Sequence, residues 1–510
     1  MKIIICLFFF VCSSALIAQP TLQWARSYNG PSNQGDKALA IVVDDSGYVY
    51  VTGSLKGTVT NDFDYCTIKY KPNGDTSWVR IFSRVPGDSS DNARDLKVDA
   101  SGNVYVTGSP ATIKYDKNGN IIWIIISTTF AGIKINFDLS GNIYIGGTTL
   151  NKFTLKKYTN TGILLWSTVY DDGGGGTAKD MALDKFGNII LTGEMAYNNG
   201  NSYDFLTVKF NSSGDTLWSK GFNGGGNPAY DWANAVDIDD SGYVYVTGLS
   251  NTSNSTDYLT FKYSPIGQEI WMKRYNDGIA YDIKVDKSGN VFVTGVTGLS
   301  NFTILKYDLN GKLVWTITTP GTSFATKVSL ALDTASNVYV AHSKTRNSWD
   351  DLAIVKYFNN GVKDWLIQYP GYGNGFHYPS KIVVKGDGNI FVTGTGYGPG
   401  LYDFLTLKFS QISRIHTTSN EIPKSFLLYQ NYPNPFNPST NITYELPNSG
   451  FVILKVFDVM GKEIETLVNE NQNAGSYSVL FNAANYPSGV YFYKLVTDGF
   501  TETRKMILLK

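Results

Sequence analysis

The sequence predicts an all-β protein whose main body is an eight-bladed β-propeller built from four-stranded blades. Three observations lead to this prediction: a repeated glycine turn, a repeated tryptophan strand, and an N-terminal segment that matches the strand missing from the last repeat. Apolar stretches are short and separated by turn residues, which is typical of many short strands. Self-similarity at a fixed period indicates units that must pack on their neighbours.

Each repeat begins with a hairpin whose second strand resembles Val49–Gly53 and whose turn resembles Asp-x-Ser-Gly-Asn. Such turns supply the positive φ that a tight hairpin requires, and alternation along the strand places neighbouring side chains on opposite sheet faces. The turn residues are Gly47, Gly102, Gly141, Gly187, Gly242, Gly289, Ser336 and Gly388. A second glycine follows six residues later in seven repeats, whereas the seventh repeat has His342.

A second hairpin follows, with a turn glycine and a tryptophan four residues after it. We expect these tryptophans to form an interblade core. The lysine five residues before each glycine is expected to contact a neighbouring blade or to be solvated, because a binding site rarely needs one copy per blade. The tryptophans are Trp78, Trp123, Trp166, Trp218, Trp271, Trp315 and Trp365.

The eighth repeat ends at Phe409 without its tryptophan strand, and residues 22–28 around Trp24 match that missing strand. The N-terminal strand is therefore expected to close the last blade, an offset that an open solenoid would not need. The repeats of residues 21–410 resemble the bacterial SBBP propeller repeat family. That resemblance implies a propeller fold and carries no assigned reaction.

The first 18 residues read as a signal peptide, with Lys2 before an apolar run from Ile3 to Val11 and a cleavage point at Ala18-Gln19. Cys12 leaves a lipoprotein alternative open. The propeller is expected over residues 19–410. Cys66 is the one cysteine that remains after cleavage, and its place in a predicted strand indicates a buried thiol.

Residues 411–424 read as a polar linker, and residues 425–510 as a small Ig-like β-sandwich of short alternating strands. Tyr432–Phe436, Ser488–Leu495 and Lys505–Lys510 resemble segments of the type IX secretion system's C-terminal sorting domain. The resemblance implies that the secretion machinery is a partner, and that a Gram-negative cell exports the protein to its medium or its outer-membrane surface. An Ig-like module without a sorting role is the alternative.

Composition and motifs restrict the chemistry. Lys plus Arg equals Asp plus Glu at 43 each, which gives no case for nucleic acid binding. The run Asp237–Gly242 begins like a calcium loop, but Gly248 stands where the bidentate Glu is required, so no metal is predicted. No phosphate loop or nucleophile elbow occurs, and no cofactor is predicted. Only Glu194 and Glu269 precede the linker after the signal peptide, which disfavours a Glu-pair glycosidase.

The binding site is predicted on the face that carries the loops of variable length, because variable loops on a rigid scaffold usually carry function. Two tryptophans outside the repeated position belong to this face, together with Tyr203, Tyr230, Tyr372 and Tyr402. Four other candidates lie eleven residues before the turn glycine of their repeat, and this shared position is expected to lie at the central mouth. They are Asp36, Asp91, Asp231 and His377. The predicted ligand-binding residues are Asp36, Asp91, Asp231, Trp232, Trp349, His377 and Tyr378.

Aromatic rings with acidic partners suit sugar binding. The leading hypothesis is a monomeric, exported binding or adhesion protein for extracellular polysaccharide or a surface protein. The alternative is a polysaccharide hydrolase or lyase that uses Asp residues at the mouth. A structural spacer without a ligand is the third hypothesis.

Overall fold

The computed structural model describes residues 19–57, 62–84, 91–196, 203–225, 230–252, 255–275, 277–298, 301–320, 328–346, 348–371, 375–386, 388–398, 401–411, 415–419, 423–483 and 486–509. The predicted signal peptide and Tyr372 lie outside these residues. Contacts divide the chain into two units, with the boundary between Ser410 and Gln411. The described residues form strands and turns without a helix, so none contains a helix that could cross a membrane.

The first unit contains 32 strands in the described residues. They are β1 (Thr21–Tyr28), β2 (Lys37–Val43), β3 (Val49–Lys56), β4 (Phe63–Tyr70), β5 (Thr76–Phe82), β6 (Asn92–Val98), β7 (Val104–Ser109), β8 (Ala111–Tyr115), β9 (Ile121–Ile126), β10 (Phe130–Phe137), β11 (Ile143–Thr149), β12 (Lys152–Tyr158), β13 (Leu164–Val169), β14 (Gly175–Leu183), β15 (Ile189–Ala196), β16 (Tyr203–Phe210), β17 (Thr216–Phe222), β18 (Asp231–Ile238), β19 (Val244–Asn251), β20 (Thr256–Tyr263), β21 (Glu269–Tyr275), β22 (Gly278–Val285), β23 (Val291–Thr297), β24 (Asn301–Tyr307), β25 (Leu313–Pro320), β26 (Ser329–Leu332), β27 (Val338–Arg346), β28 (Trp349–Tyr357), β29 (Lys363–Tyr369), β30 (Tyr378–Val384), β31 (Asn389–Tyr397) and β32 (Tyr402–Ser410).

These strands form eight four-stranded antiparallel sheets within the described part of residues 19–410. Blades 1 to 7 each use four consecutive strands, from β2–β5 to β26–β29, and blade 8 combines β30–β32 with β1. Apolar clusters lie between consecutive blades, including one around Trp24 that joins blade 8 to blade 1. The chain therefore folds as a β-propeller.

The N-terminal strand completes blade 8. β1 pairs antiparallel with β32, from Thr21 opposite Ser410 to Tyr28 opposite Phe404. The prediction that residues 22–28 supply the missing strand is confirmed.

The repeated tryptophans and lysines connect neighbouring blades, as predicted. At six joints in the described chain, an indole Nε1 and a lysine Nζ donate to the same carbonyl oxygen in a turn of the next blade. For example, Trp78 and Lys69 both donate to Lys117 O, at 3.2 and 3.0 Å. The other shared acceptors are the carbonyls of Pro72, Asn160, Pro265, Leu309 and Asn359.

The first strands of seven blades contain a β-bulge, and the repeated second glycine lies opposite it. In blade 5 the bulge falls between Ala233 and Ala235, and a Cβ on Gly248 would lie 1.7 Å from Trp232 O. Only glycine allows the two backbones to approach this closely. The bulge moves one extra residue of each first strand out of the regular alternation.

The second unit is a two-sheet sandwich with one core. Its strands are β33 (Ile415–Ser419), β34 (Leu427–Leu428), β35 (Ser439–Leu446), β36 (Gly450–Phe457), β37 (Glu463–Gln472), β38 (Gly475–Asn482), β39 (Gly489–Thr497) and β40 (Phe500–Leu508). The strand order is β33-β38-β35-β34 in one sheet and β37-β36-β39-β40 in the other. Residues from both sheets enclose a buried cluster that includes Ile442, Leu454, Val479 and Tyr493.

The segment predicted as a polar linker contains a strand. β33 pairs with β38, with Ile415 opposite Val479. Backbone hydrogen bonds of a sheet edge do not require apolar side chains, so the polar composition of residues 411–424 did not reveal this strand.

Candidate functional site

The three predicted aspartates are interior residues. Asp36, Asp91 and Asp231 are 0%, 3% and 0% exposed. The Oδ2 atom of each accepts a backbone hydrogen bond from the loop that enters its blade; the donors are Gly30, Arg84 and Gly224, at 2.6, 2.7 and 2.6 Å. Burial raises the pKa of all three carboxyls, and that of Asp36 to about 6. These contacts hold the incoming loops.

The equivalent residue of blade 8, His377, is also buried, with 1% of its surface exposed. Its backbone N donates to Asp350 O of blade 7 at 2.8 Å, and burial lowers the pKa of its imidazole. Neither His377 nor the three aspartates line the central cavity. The expectation that this position forms the central mouth is therefore corrected, and direct ligand contact by these side chains has no support in the geometry.

Its place outside the repeated position suggested that Trp232 is a loop residue. In the structure, Trp232 lies in strand β18. Its ring is half-buried, and Lys179 Nζ lies 4.1 Å from the ring centroid. Its Nε1 is buried and has no hydrogen-bond partner among the described residues. The surroundings of Trp232 thus include both a cation–π contact and an unsatisfied donor.

Trp349 and Tyr378 belong to one row of aromatic rings. Trp349 contacts Phe376 edge to face at 5.2 Å between centroids, and Phe376 stacks on Tyr378 at 6.0 Å and 4°. Tyr378 lies 6.4 Å from Tyr402, which lies 6.1 Å from Tyr397. The row runs from the start of β28 in blade 7 across the loop-side ends of β30, β31 and β32 in blade 8.

A pocket of about 390 Å³ opens beside this row, between blades 8 and 1. We call it the seam pocket; its lining is Lys37, Leu39, Tyr378, Pro379, Ser380, Thr395 and Tyr402. The hydroxyls of Tyr378 and Tyr402 make no hydrogen bond within the described residues. Burial raises the pKa of Tyr378 to about 12, and the pKa of Tyr402 also lies above its ordinary value for that reason. Both phenols are therefore neutral near pH 7 and are able to donate hydrogen bonds.

A larger cavity of about 780 Å³ lies at the centre of the ring. The extra residue of each bulge lines it, as does Val328, which holds the equivalent position in blade 7. These eight residues, in blade order, are Leu39, Arg94, Ile133, Lys179, Asn234, Tyr281, Val328 and Ser380. They differ from blade to blade, although the strands around them repeat. This ring of eight residues was not predicted from the sequence.

The repeated second glycine is the signal that could have located this ring. Glycine inside a strand marks a bulge or a close backbone approach. Gly53, Gly108 and Gly248 each face the residue just before a bulge, so the residue that follows in the first strand is displaced. The predicted central mouth was instead placed three residues earlier in the chain, for example at Asp36 and not at Leu39.

Ion pairs between first strands surround the cavity. Lys134 Nζ lies 3.5 Å from Asp180 Oδ1, and Lys381 Nζ lies 3.2 Å from Asp282 Oδ2. Asp180 raises the pKa of Lys134. Burial raises the pKa of Asp282, but the charges of Lys381 and Lys284 and the hydrogen bonds from Leu330 N and Lys381 together lower it below its ordinary value. In each pair, opposite charges of two different blades therefore lie side by side.

The aspartates of the first-hairpin turns are structural. Asp239 Oδ1 accepts bonds from Ser241 N and Tyr243 N, at 2.9 and 3.0 Å, and Oδ2 accepts one from Tyr245 OH at 2.9 Å. This is the Asx arrangement of a tight turn. Among the described residues, no group of three or more His, Cys, Asp or Glu side chains is arranged to hold a metal ion.

Comparisons with known proteins identify the tail and support the fold. Residues 430–509 match the family model of a secretion system C-terminal sorting domain. No curated protein matches the chain. The solved Dos1 propeller is similar with a TM-score of 0.54, at 11% identity over 76% of this chain and 95% of that chain. PorZ, an essential surface component of the type-IX secretion system of Porphyromonas gingivalis, aligns at 11% identity over 93% of this chain and 81% of its own, with a TM-score of 0.33.

The Dos1 likeness is one of fold alone, and it agrees with the ring of sheets. The match to residues 430–509 bears out the sorting-domain resemblance of the same segments. The SBBP resemblance of the repeats stays a prediction. The chain is thus a β-propeller protein that ends in a secretion system C-terminal sorting domain, which directs export through the type IX system to the cell surface or the extracellular space.

Proposed function

We propose that this protein is an exported binding protein whose propeller holds extracellular polysaccharide in the seam pocket. One observation carries the proposal: five aromatic rings in a continuous row flank a pocket with free tyrosine hydroxyls. Aromatic faces stack on the apolar faces of sugar rings, and phenols bind sugar hydroxyls. We propose that a single chain is the binding unit.

The composition of the seam pocket supports a polar, ring-shaped ligand. Its wall combines the rings of Tyr378 and Tyr402 with the polar side chains of Lys37, Ser380 and Thr395. A polymer is favoured because the row continues beyond the pocket through Phe376 to Trp349 in blade 7. The hydrolase alternative gains no support, because the aspartates expected to act at the mouth are buried and bonded to backbone amides.

The test is a glycan array screened with the full chain, followed by titration calorimetry with the best glycan. Tyr378→Ala and Tyr402→Ala should each weaken binding about tenfold or more, since each loses one stacking surface. Tyr378→Phe keeps the stacking surface and loses only the hydrogen bond of the hydroxyl, so it should weaken binding less than Tyr378→Ala. Phe186→Ala is the matched control, because Phe186 is 65% exposed in the turn between β14 and β15.

An array without any bound glycan would contradict the proposal. So would a glycan whose affinity is the same for the native chain and for both tyrosine variants. Turnover of a bound glycan would replace binding with catalysis as the function.

A further inference from the structure

We propose that the central cavity is a second binding site, which takes the carboxylate or sulfate group of an acidic sugar with Arg94 as its counter-ion. The inference rests on the proposed function in one respect, the sugar class of the ligand, and it specifies that class further. Its structural basis is separate, because it depends on the cavity and not on the aromatic row.

The acidic side chains of the cavity wall are already neutralised by the protein. Asp282 Oδ2 accepts bonds from Leu330 N at 3.0 Å and Ser329 Oγ at 3.3 Å, in addition to its contact with Lys381. Asp180 accepts a bond from Val236 N at 3.0 Å and pairs with Lys134. These carboxylates have little capacity left for a cationic ligand.

The basic side chains are not fully matched. The wall contains Arg94, Lys134, Lys179 and Lys381 against two aspartates. Lys134 and Lys381 pair with those aspartates, and Lys179 pairs with Glu194 at 2.7 Å. No hydrogen bond or ion pair of Arg94 is found among the described residues. Arg94 is therefore the basic side chain of the cavity wall for which the described residues provide no ion pair.

The described neighbours of Arg94 in the ring do not pair with it. At the same level of the ring, blades 1 and 3 contribute Leu39 and Ile133, which are apolar. The adjacent Asp95 directs its Oδ2 to Ile135 N of blade 3, at 3.1 Å. A planar guanidinium with free donors binds a carboxylate or sulfate through two parallel hydrogen bonds.

The rest of the cavity suits the body of a sugar. Blade 6 lies opposite blade 2 in a ring of eight, so Tyr281 faces Arg94 across the cavity. Asn234 donates its Nδ2 to Ala280 O at 2.9 Å, and no described residue binds its Oδ1. A volume of about 780 Å³ is within the range of small-molecule sites.

The central cavity and the seam pocket share part of one wall. Leu39 and Ser380 line both. A glycan that stacks on Tyr378 can therefore place one of its acidic sugar units in the central cavity without crossing a blade. This arrangement predicts that the preferred polymer is an acidic polysaccharide.

The experiment is calorimetric titration of the full chain with D-glucuronate, D-glucose 6-sulfate and D-glucose at constant ionic strength. At least one anionic sugar should bind, and D-glucose should bind at least tenfold more weakly. Arg94→Gln should weaken anion binding about tenfold or more, the loss expected for one charge-assisted contact. Arg94→Lys should recover part of it. Lys312→Gln, at the exposed β24–β25 turn, removes a charge elsewhere and should have no effect.

Comparison of the titrations with D-glucuronate and D-glucose 6-sulfate identifies which anionic group the cavity prefers. Binding of glucuronate alone assigns a uronic acid, and binding of the sulfate ester alone assigns a sulfated sugar. Tyr378→Ala should leave binding of the monosaccharide intact, so the cavity and the seam pocket fail or succeed separately. Equal binding of the three sugars, or native affinity in Arg94→Gln, would overturn the inference. Melting curves of both Arg94 variants verify that they fold.

Discussion

The indole nitrogen of Trp24 donates a hydrogen bond to the carbonyl oxygen of Pro72 at 3.0 Å. Trp24 belongs to the strand that completes blade 8, whereas Pro72 lies in a turn of blade 1. The ring of Trp24 also packs on Tyr70 and Phe391, with centroids 5.9 and 6.4 Å apart. A single side chain at the N-terminus therefore joins the last blade to the first.

Trp24→Ala should lower the free energy of unfolding by roughly 3–5 kcal/mol, the usual cost of removing a large buried aromatic side chain. Trp24 is 6% exposed, so nearly all of its packing would be lost. The measurement is denaturant unfolding of the mature chain. Trp349→Ala is the control, because that ring is half-buried at the loop-side face and should cost less. Equal stability of the native protein and Trp24→Ala would show that the Trp24 side chain does not stabilise the joint between blades 8 and 1.

The contribution of Asp36 to the stability of the propeller should fall as pH rises from about 4 to about 6. Burial is the main reason that the pKa of Asp36 lies near 6, and the nearby carboxyl of Asp403 adds to it. An unfolded Asp titrates near 4, so the folded state binds more protons than the unfolded state between about pH 4 and pH 6. The stabilisation is complete below about pH 4, decreases across this interval and is gone above about pH 6. The loss from Asp36 is at most about 3 kcal/mol.

Asp403→Asn tests this pH dependence. Asp403 Oδ2 accepts the hydroxyl of Ser27 at 3.0 Å, a bond that an amide oxygen preserves. The variant should therefore gain stability relative to the native protein at pH 7.5, and gain less at pH 4.5. Denaturant unfolding of both proteins at the two pH values measures the difference. The same difference at both pH values would mean that the two carboxyls do not interact.

Removal of residues 426–510 should leave a folded propeller that is retained in the periplasm. The boundary of the two units lies before this segment, and residues 430–509 match the sorting domain. Fractionation of cells and medium, with melting of the purified truncated protein, gives both readouts. Normal amounts of truncated protein at the surface or in the medium would contradict the sorting role.

Local turn chemistry is why the sequence predicts the blades so well. The turn glycines adopt positive φ, as at Gly47 with 81° and Gly242 with 83°. Ser336, which replaces glycine in the seventh repeat, adopts 60°. Each such residue fixes its own hairpin, so the strand order follows from neighbours in the chain.

The candidate sites depend on contacts between blades, which no local pattern records. The equivalent positions eleven residues before the turn glycines placed the mouth at Asp36 and Asp231. The bulge in each of these first strands instead directs a residue three positions later, Leu39 or Asn234, into the cavity. The seam pocket was found in part, because Tyr378, Tyr402 and Trp349 stand out as aromatic residues outside the repeat. Phe376 was not predicted, because its place in the row depends on contacts with Trp349 and Tyr378 that the sequence alone does not show.

The pairing of β1 with β32 also dictates the order of assembly. Ser27 and Asp403 are in contact although they are 376 residues apart in the chain. Blades 1 to 7 use neighbouring strands and can form as the chain emerges, but blade 8 must wait for residues 402–410. Such a distant contact is slow to form, because the loop-closure entropy must be met before the pairing contributes. Before β1 pairs with it, β32 has an unpaired edge. In a chain that ends before β32, β1 has no strand to pair with. Ring closure therefore requires that the last strand of the propeller has been made.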